Sequence, residues 1–129
     1  MEITISQANG RIPVTIFHLQ GDLMNEEPLH QLAADAIAGG SRHILLDLSH
    51  VPYISSAGLR AIQLVFELLQ QIGHVDNEAM KRGIMTGTYK SPNLKLLNPT
   101  KNGLKTISVA GYDMFLEIHH DVQTAVASF

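Results

Sequence analysis

Two adjacent serines, Ser55 and Ser56, stand between a loop carrying Pro52 and a run with helical periodicity. A hydroxyl at a helix N-terminus lies where backbone N–H groups and the macrodipole favour negative charge, so a phosphate attached there is stabilised. The same hydroxyl can instead cap the helix by accepting one N–H bond, worth about 1 kcal/mol. Asp47 ends the apolar run of Ile44, Leu45 and Leu46 just upstream, and a hydrogen-bonding role in support of the serine loop is expected of it. Arg60, one turn past Ser56, is placed to pair with a phosphate, to contact a partner, or simply to be solvated.

Other chemistries lack their residues. The chain has no cysteine, which removes disulfides, thiolate zinc sites and thiol nucleophiles together. SSAG is not the G-x-S-x-G elbow, and none of the histidines can be assigned to it as a base from sequence, so no enzyme is expected. His18, His30, His43, His50 and His74 show no ligand spacing, and His119 and His120, adjacent on a strand, point to opposite faces. No metal is expected. The glycines form neither G-x-x-x-x-G-K nor G-x-G-x-x-G, and no cofactor is called for.

The elements that must position the serines can be read from periodicity. Ile3 and Ile5, then Val14, Ile16 and Phe17, lie in β-branched runs separated by Asn9-Gly10, which predicts a hairpin. Gly21-Asp22 ends the second strand. Asn25 is a candidate cap and Pro28 a first-turn residue for a helix through Leu29, Leu32, Ala33, Ala36 and Ile37, stopped by Gly39-Gly40. Residues 43–48 read as a central strand. The helix over residues 57–72 turns Ala61, Ile62, Val65, Leu68, Leu69 and Ile72 inward. Arg60, Gln63, Glu67, Gln70 and Gln71 face outward with Ser56, and Leu64 lies at the margin of that arc.

Residues 74–93 carry no sustained period and read as a long inserted loop, with a short helical turn over 77–81. Leu94, Leu96 and Leu97 follow as a strand, and Asn98 or Thr100 caps a helix through Leu104, Ile107 and Val109, ended by Gly111. Phe115, Leu116 and Ile118 read as a last strand, and Asp121 caps a terminal helix. The order ββαβαβαβα implies a single α/β domain over residues 1–129. It has a mostly parallel central sheet, an opening hairpin and helices packed against it.

The chain's 129 residues are 45% hydrophobic and 16% charged with a net charge of −3, so a self-sufficient core is expected. The nine basic residues are scattered, which argues against direct nucleic-acid binding. No apolar run of about 18 residues and no signal-like N-terminus appears, so no direct membrane contact and a cytoplasmic location are expected.

The order and the residues resemble the STAS domain, named for sulphate transporters and anti-sigma factor antagonists. The most specific part is ILLDLSHVPYISSAGLRAI: a strand ending in Asp, a short loop, then a serine before Gly58-Leu59 at a helix start. Gly21-Asp22-Leu23 resembles the family's turn after the second strand. LKLLNP and GLKTISVAGYDMFLEIHHDVQTAVASF resemble its closing strand-helix-strand-helix.

The resemblance implies an anti-sigma factor antagonist. Such a protein binds an anti-sigma factor that is also a serine kinase of GHKL type. It is switched off by phosphorylation at the loop–helix junction, and a PP2C-type phosphatase resets it. By position the phosphoacceptor maps to Ser56, with Ser55 as the alternative. The partner face implied is Pro52, Tyr53, Ser55, Arg60, Gln63, Leu64 and Glu67, with Asp22, Asp47 and Gly58 as structural support. Three features depart from the family: Ser55 stands where Asp is common, Met24 where an acidic residue is common, and the 74–93 connection is long. The missing acid at Ser55 and the long 74–93 connection favour a second reading, a scaffold or accessory subunit of a stress-signalling or lipid-transport complex. An enzyme or small-molecule binder is a third, and it requires an apolar cavity with convergent polar groups.

Overall fold

Asn9 and Gly10 interrupt two β-branched runs, and the chain reverses there into an antiparallel hairpin. Strands β1 (Glu2–Asn9) and β2 (Pro13–Gln20) pair in unbroken register from Glu2 opposite Gln20 to Asn9 opposite Pro13. The structure, a computed structural model, describes residues 1–72 and 89–129. After the hairpin come α1 (Leu29–Ala38), β3 (Ile44–His50), α2 (Ser56–Ile72) and β4 (Leu94–Leu97). Then follow α3 (Lys101–Val109), a 3-10 turn (Tyr112–Met114), β5 (Glu117–His119) and α4 (Val122–Ala127). Among the described residues this is the expected ββαβαβαβα order.

The five strands lie in chain order, β1-β2-β3-β4-β5, and every pair after the hairpin is parallel. Parallel neighbours joined in steady succession need crossovers of one hand, and such crossovers put their helices on one face. Leu29, Ala33 and Ile37 of α1, Ala61, Ile62, Val65 and Leu69 of α2, and Ile107 of α3 accordingly share a core with Phe17, Leu19, Ile44, Leu46 and Leu48. Helix α4 comes after the last strand and covers part of the other face. Its Ala125 and Val126 pack on Val14, Ile16, Leu45 and Leu97.

That second core includes a buried charge. Lys95, only 3% exposed, sits 3.2 Å from a Glu117 carboxylate oxygen. It also donates to the Ser128 carbonyl at 2.8 Å and lies 4.8 Å from the centre of the Phe129 ring. A buried ammonium needs such partners, because leaving a charge unpaired in the interior is strongly unfavourable. The lysine thereby ties the C-terminal end of the chain to the sheet.

Several local expectations are corrected. Asn25 does not cap α1. Pro28 occupies the cap position without a side-chain bond, and the Glu27 carboxylate takes the free Gln31 N–H at 3.0 Å instead. Proline suits that place because the missing N–H would be unpaired anyway. Of the two candidate caps for α3, Thr100 serves, accepting from Gly103 N–H at 3.1 Å, while Asn98 adopts a left-handed conformation. Phe115 and Leu116 precede the last strand rather than join it. Phe115 packs at a tilt against Phe66 of α2, with ring centroids 5.0 Å apart, and follows the 3-10 turn. Asp121 caps α4 as expected, accepting from Thr124 N–H at 2.9 Å.

Most of the long connection expected over 74–93, including its helical turn at 77–81, lies outside the described residues. Its far end is anchored: Ser91 N–H donates to the Phe115 carbonyl at 2.9 Å, and Asn93 Nδ2 donates to the Arg42 carbonyl at 2.9 Å.

Candidate functional site

The loop that carries the serines is stitched to the end of the β2 segment. Leu23 N–H donates to the Tyr53 carbonyl, and Ser55 N–H donates to the Leu23 carbonyl, each at 2.9 Å. These bonds make a short parallel bridge between Leu23 and Ile54, both buried. Helix α2 begins immediately afterwards and presses on the same Leu23 carbonyl. A β-carbon at Gly58 would collide with that oxygen, so only glycine lets the helix start so close to this backbone.

This anchorage gives the two serines different tasks. Ser55, partly buried, is the cap: its Oγ accepts from Gly58 N–H at 3.0 Å, and its carbonyl accepts from Leu59 N–H at 2.8 Å. Ser56 is the first helical residue and is exposed. Among the described residues its hydroxyl has no hydrogen-bond partner. One serine holds the helix start while the other presents a free hydroxyl beside it, in the positive field of the N-terminus.

The surrounding surface is partly apolar. Tyr53 and Met24 are 49% and 47% exposed, beside exposed Pro52 and Ala57. Arg60 is exposed as its position on the helix wheel predicts, and it is not free: its Nε lies 3.7 Å from a Glu26 carboxylate oxygen. Sequence reasoning missed Glu26, because nothing local links it to Arg60. An acid is thus present beside the α2 start, although Met24 and Ser55 are not acidic.

Farther along α2 the predicted stripe sinks into the protein. Gln63, Leu64 and Glu67 are half-buried, Gln63 Nε2 donates to Glu67 at 3.1 Å, and Tyr112 donates to Gln63 Oε1 at 3.4 Å. Burial pushes the Tyr112 hydroxyl above the ordinary phenol range, with Arg60 opposing and Glu67 adding to the shift.

Asp22 and Asp47 occupy different surroundings. The Asp22 side chain is exposed and makes no hydrogen bond among the described residues, so the turn is held by the Leu23 backbone. Asp47 lies within β3 on the sheet face away from α2. One of its oxygens accepts from Ser49 N–H at 3.1 Å and from Ser49 Oγ at 2.7 Å, and the other meets His18 Nδ1 at 2.9 Å. Burial pushes this carboxyl up, but the Ser49 and His18 bonds together outweigh it and hold the group below the usual carboxylate range. Asp47 therefore ties β3 to β2 and to its own strand end, rather than to the loop over 52–56.

Among the described residues no three His, Asp or Glu side chains gather as a metal site. His119 bonds Glu117 at 3.0 Å. No described helix is long and apolar enough to cross a membrane.

Comparison with known proteins agrees with this geometry. Over 74 residues the chain is 38% identical to BtrV of Bordetella bronchiseptica, a protein named as an anti-sigma factor antagonist. That match spans 56% of this chain and 61% of the relative's length. Among solved structures, an anti-sigma factor antagonist of Thermotoga maritima superposes with a TM-score of 0.72 at 17% identity, over 95% of this chain and 90% of that one. SpoIIAA in its unphosphorylated form superposes with a TM-score of 0.62 at 12% identity, over 96% and 93%. An antagonist of Mycobacterium paratuberculosis gives 0.65 at 16% identity, over 98% and 93%. At these identities the structures share the fold. The STAS domain family itself matches residues 5–74, which hold the hairpin, the Leu23 bridge, the serine pair and α2, and the chain belongs to that family.

Proposed function

We propose that this chain is a cytoplasmic, single-domain anti-sigma factor antagonist whose phosphoacceptor is Ser56. It binds an anti-sigma factor that is also a GHKL-type serine kinase, and so acts on transcription indirectly. Phosphorylation ends the interaction, and a PP2C-type phosphatase restores it. The observation that carries this reading is the division of labour at the start of α2: Ser55 is occupied as the cap, and Ser56 is exposed with its hydroxyl unengaged. The likeness to BtrV supports the class of partner.

A phosphate on Ser56 would add roughly −1.5 to −2 charges at pH 7. At the helix start that charge is tolerated by the fold, because the N-terminal N–H groups and dipole favour it. In a packed interface against Pro52, Tyr53, Ser55, Arg60, Gln63, Leu64 and Glu67 the same charge must be desolvated, which is costly without a basic partner. It would also compete with Glu26 for Arg60. The partner is lost and the fold is kept.

The test is capture of partners by the wild type and by Ser56→Asp side by side, with the phosphate located by mass spectrometry after incubation with the captured kinase. A kinase held by wild type, lost by Ser56→Asp and unable to modify Ser56→Ala supports the antagonist role. Equal retention of the same proteins by both baits would make the domain an accessory module and Ser56 a helix-start residue without a switching role.

A further inference from the structure

The sheet face opposite α2 holds a second serine in a different setting. Ser6 on β1, His18 on β2 and Asp47 on β3 form a row across three adjacent strands. Ser6 Oγ lies 2.9 Å from His18 Nε2, and His18 Nδ1 lies 2.9 Å from Asp47 Oδ2. The strand register sets this row: His18 is directly opposite Asp47, and Ser6 lies two residues from Thr4, the partner of His18. Helix α4 covers Val14, Ile16, Leu45 and Leu97 and leaves this end of the face open, so Ser6 is exposed and the His18 side chain is 40% exposed.

Hydrogen-bonding capacity fixes the direction of the row. An ionised carboxylate can only accept, so the proton on His18 sits on Nδ1. In the neutral imidazole Nε2 then has only a lone pair to offer, and Ser6 Oγ–H is the donor to it. The second oxygen of Asp47 is held by Ser49 N–H and Oγ–H, which keeps the carboxylate from rotating away. Serine, base and orienting acid thus stand in the relation that activates a hydroxyl for attack on a carbonyl.

We propose that Ser6, His18 and Asp47 form an acyl-transfer site that accepts small activated carboxylic esters, independent of the Ser56 switch. Ser6 Oγ attacks the ester carbonyl carbon and gives its proton to His18 Nε2. The bond from that carbon to the leaving oxygen then breaks, and the leaving oxygen takes the proton from His18, leaving the acyl group on Ser6. Water repeats the sequence: it loses a proton to His18 Nε2, the acyl–Oγ bond breaks, Ser6 recovers the proton and the acid departs. Ser6 and His18 are the catalytic residues, and Asp47 is a positioning residue.

The face around Ser6 and His18 is open, so a small ester reaches Ser6 Oγ directly from solvent. Strand β1 is the sheet edge among the described strands, so backbone N–H groups on its outer side pair with no neighbouring strand among the described residues.

The experiment uses the full chain with p-nitrophenyl acetate and, separately, a fluorophosphonate probe, the adduct being located by mass spectrometry. A burst of nitrophenolate and an adduct on Ser6 are expected, absent in Ser6→Ala and roughly a hundredfold slower to form in His18→Gln. An adduct on any other residue, or wild-type labelling no faster than that of Ser6→Ala, overturns the proposal. Ser6→Ala removes only an exposed hydroxyl, so the test survives even if His18→Gln fails to fold. For Asp47, NMR of the imidazole nitrogens reads the tautomer directly. Nδ1–H is expected in the wild type, and Asp47→Asn is expected to displace it and slow labelling together. Displacement of the tautomer with labelling unchanged would remove Asp47 from the site.

Discussion

The two faces of the sheet are built on different principles. Toward α1, α2 and α3 the sheet presents Phe17, Leu19, Ile44, Leu46 and Leu48, all buried, and the helices return apolar side chains. Toward α4 the apolar patch is small, and the rest of the face is organised by polar partners: Ser6 with His18, His18 with Asp47, Asp47 with Ser49, and Lys95 with Glu117 and Ser128. The helical face obtains its stability from area removed from water, which is non-directional. The other face depends on directional contacts whose loss leaves a polar group unpaired. The thick core holds the start of α2 rigid, while the open face stays accessible.

Neighbouring residues of β3 provide the largest test. Leu46→Ala empties a site enclosed by helices and is expected to cost about 3–5 kcal/mol. Leu45→Ala opens a site beneath the six-residue α4, which can settle inward, and about 2–3 kcal/mol is expected. Denaturant titration of both variants measures the gap; equal losses would mean that the α4 side is as tightly built as the other.

Gly58→Ala comes next. Its new methyl meets the Leu23 carbonyl, and overpacking of this kind costs about 1–3 kcal/mol. Partner binding should fall with it, because the serine loop hangs from the same carbonyl. Normal stability and normal partner capture in this variant would show that the bridge does not position the serines.

The serine pair gives a smaller and sharper contrast. Ser55→Ala removes the cap and should lower stability by about 1 kcal/mol, whereas Ser56→Ala should stay within about 0.5 kcal/mol of wild type. Thermal unfolding of the two variants measures it, and a reversed order would exchange the roles of cap and free hydroxyl.

The smallest expected effect is a loss of stability in acid. His43 is held below the ordinary histidine range by burial and by nearby Lys95, so the unfolded chain binds a proton that the folded chain resists. Stability then falls as pH drops through that range. Asp47 and Glu117 are both held below the usual carboxylate range, despite burial that opposes it, by hydrogen bonds from Ser49 and His18 and from Lys95 and His119. Their contribution is present at neutral pH and is lost as pH falls through their depressed values. These groups remain partly exposed to solvent, so screening keeps each effect modest. The unfolding midpoint against pH should decline in two stages, and Asp47→Asn should reduce only the lower one.

What could be read without coordinates follows the same division. Hydrophobic period and capping residues are local signals, so the element order, the inward face of α2, the hairpin at Asn9-Gly10 and the cap at Asp121 were all legible in the chain. The α2 start could be placed to within a residue for the same reason. The glycine after the serines was visible as a pattern, but its cause, the Leu23 carbonyl, was not. Asn25 misled because a good capping residue competes with proline for the same few positions, and local chemistry does not choose between them.

Which serine caps and which is free, the pairing of Arg60 with Glu26, the row from Ser6 to Asp47 and the burial of Lys95 were decided by tertiary structure. Each depends on strand register or on which backbone a helix start meets, and each joins residues far apart in the chain. Periodicity assigns a side chain to a face, but only the assembled sheet determines its neighbour there.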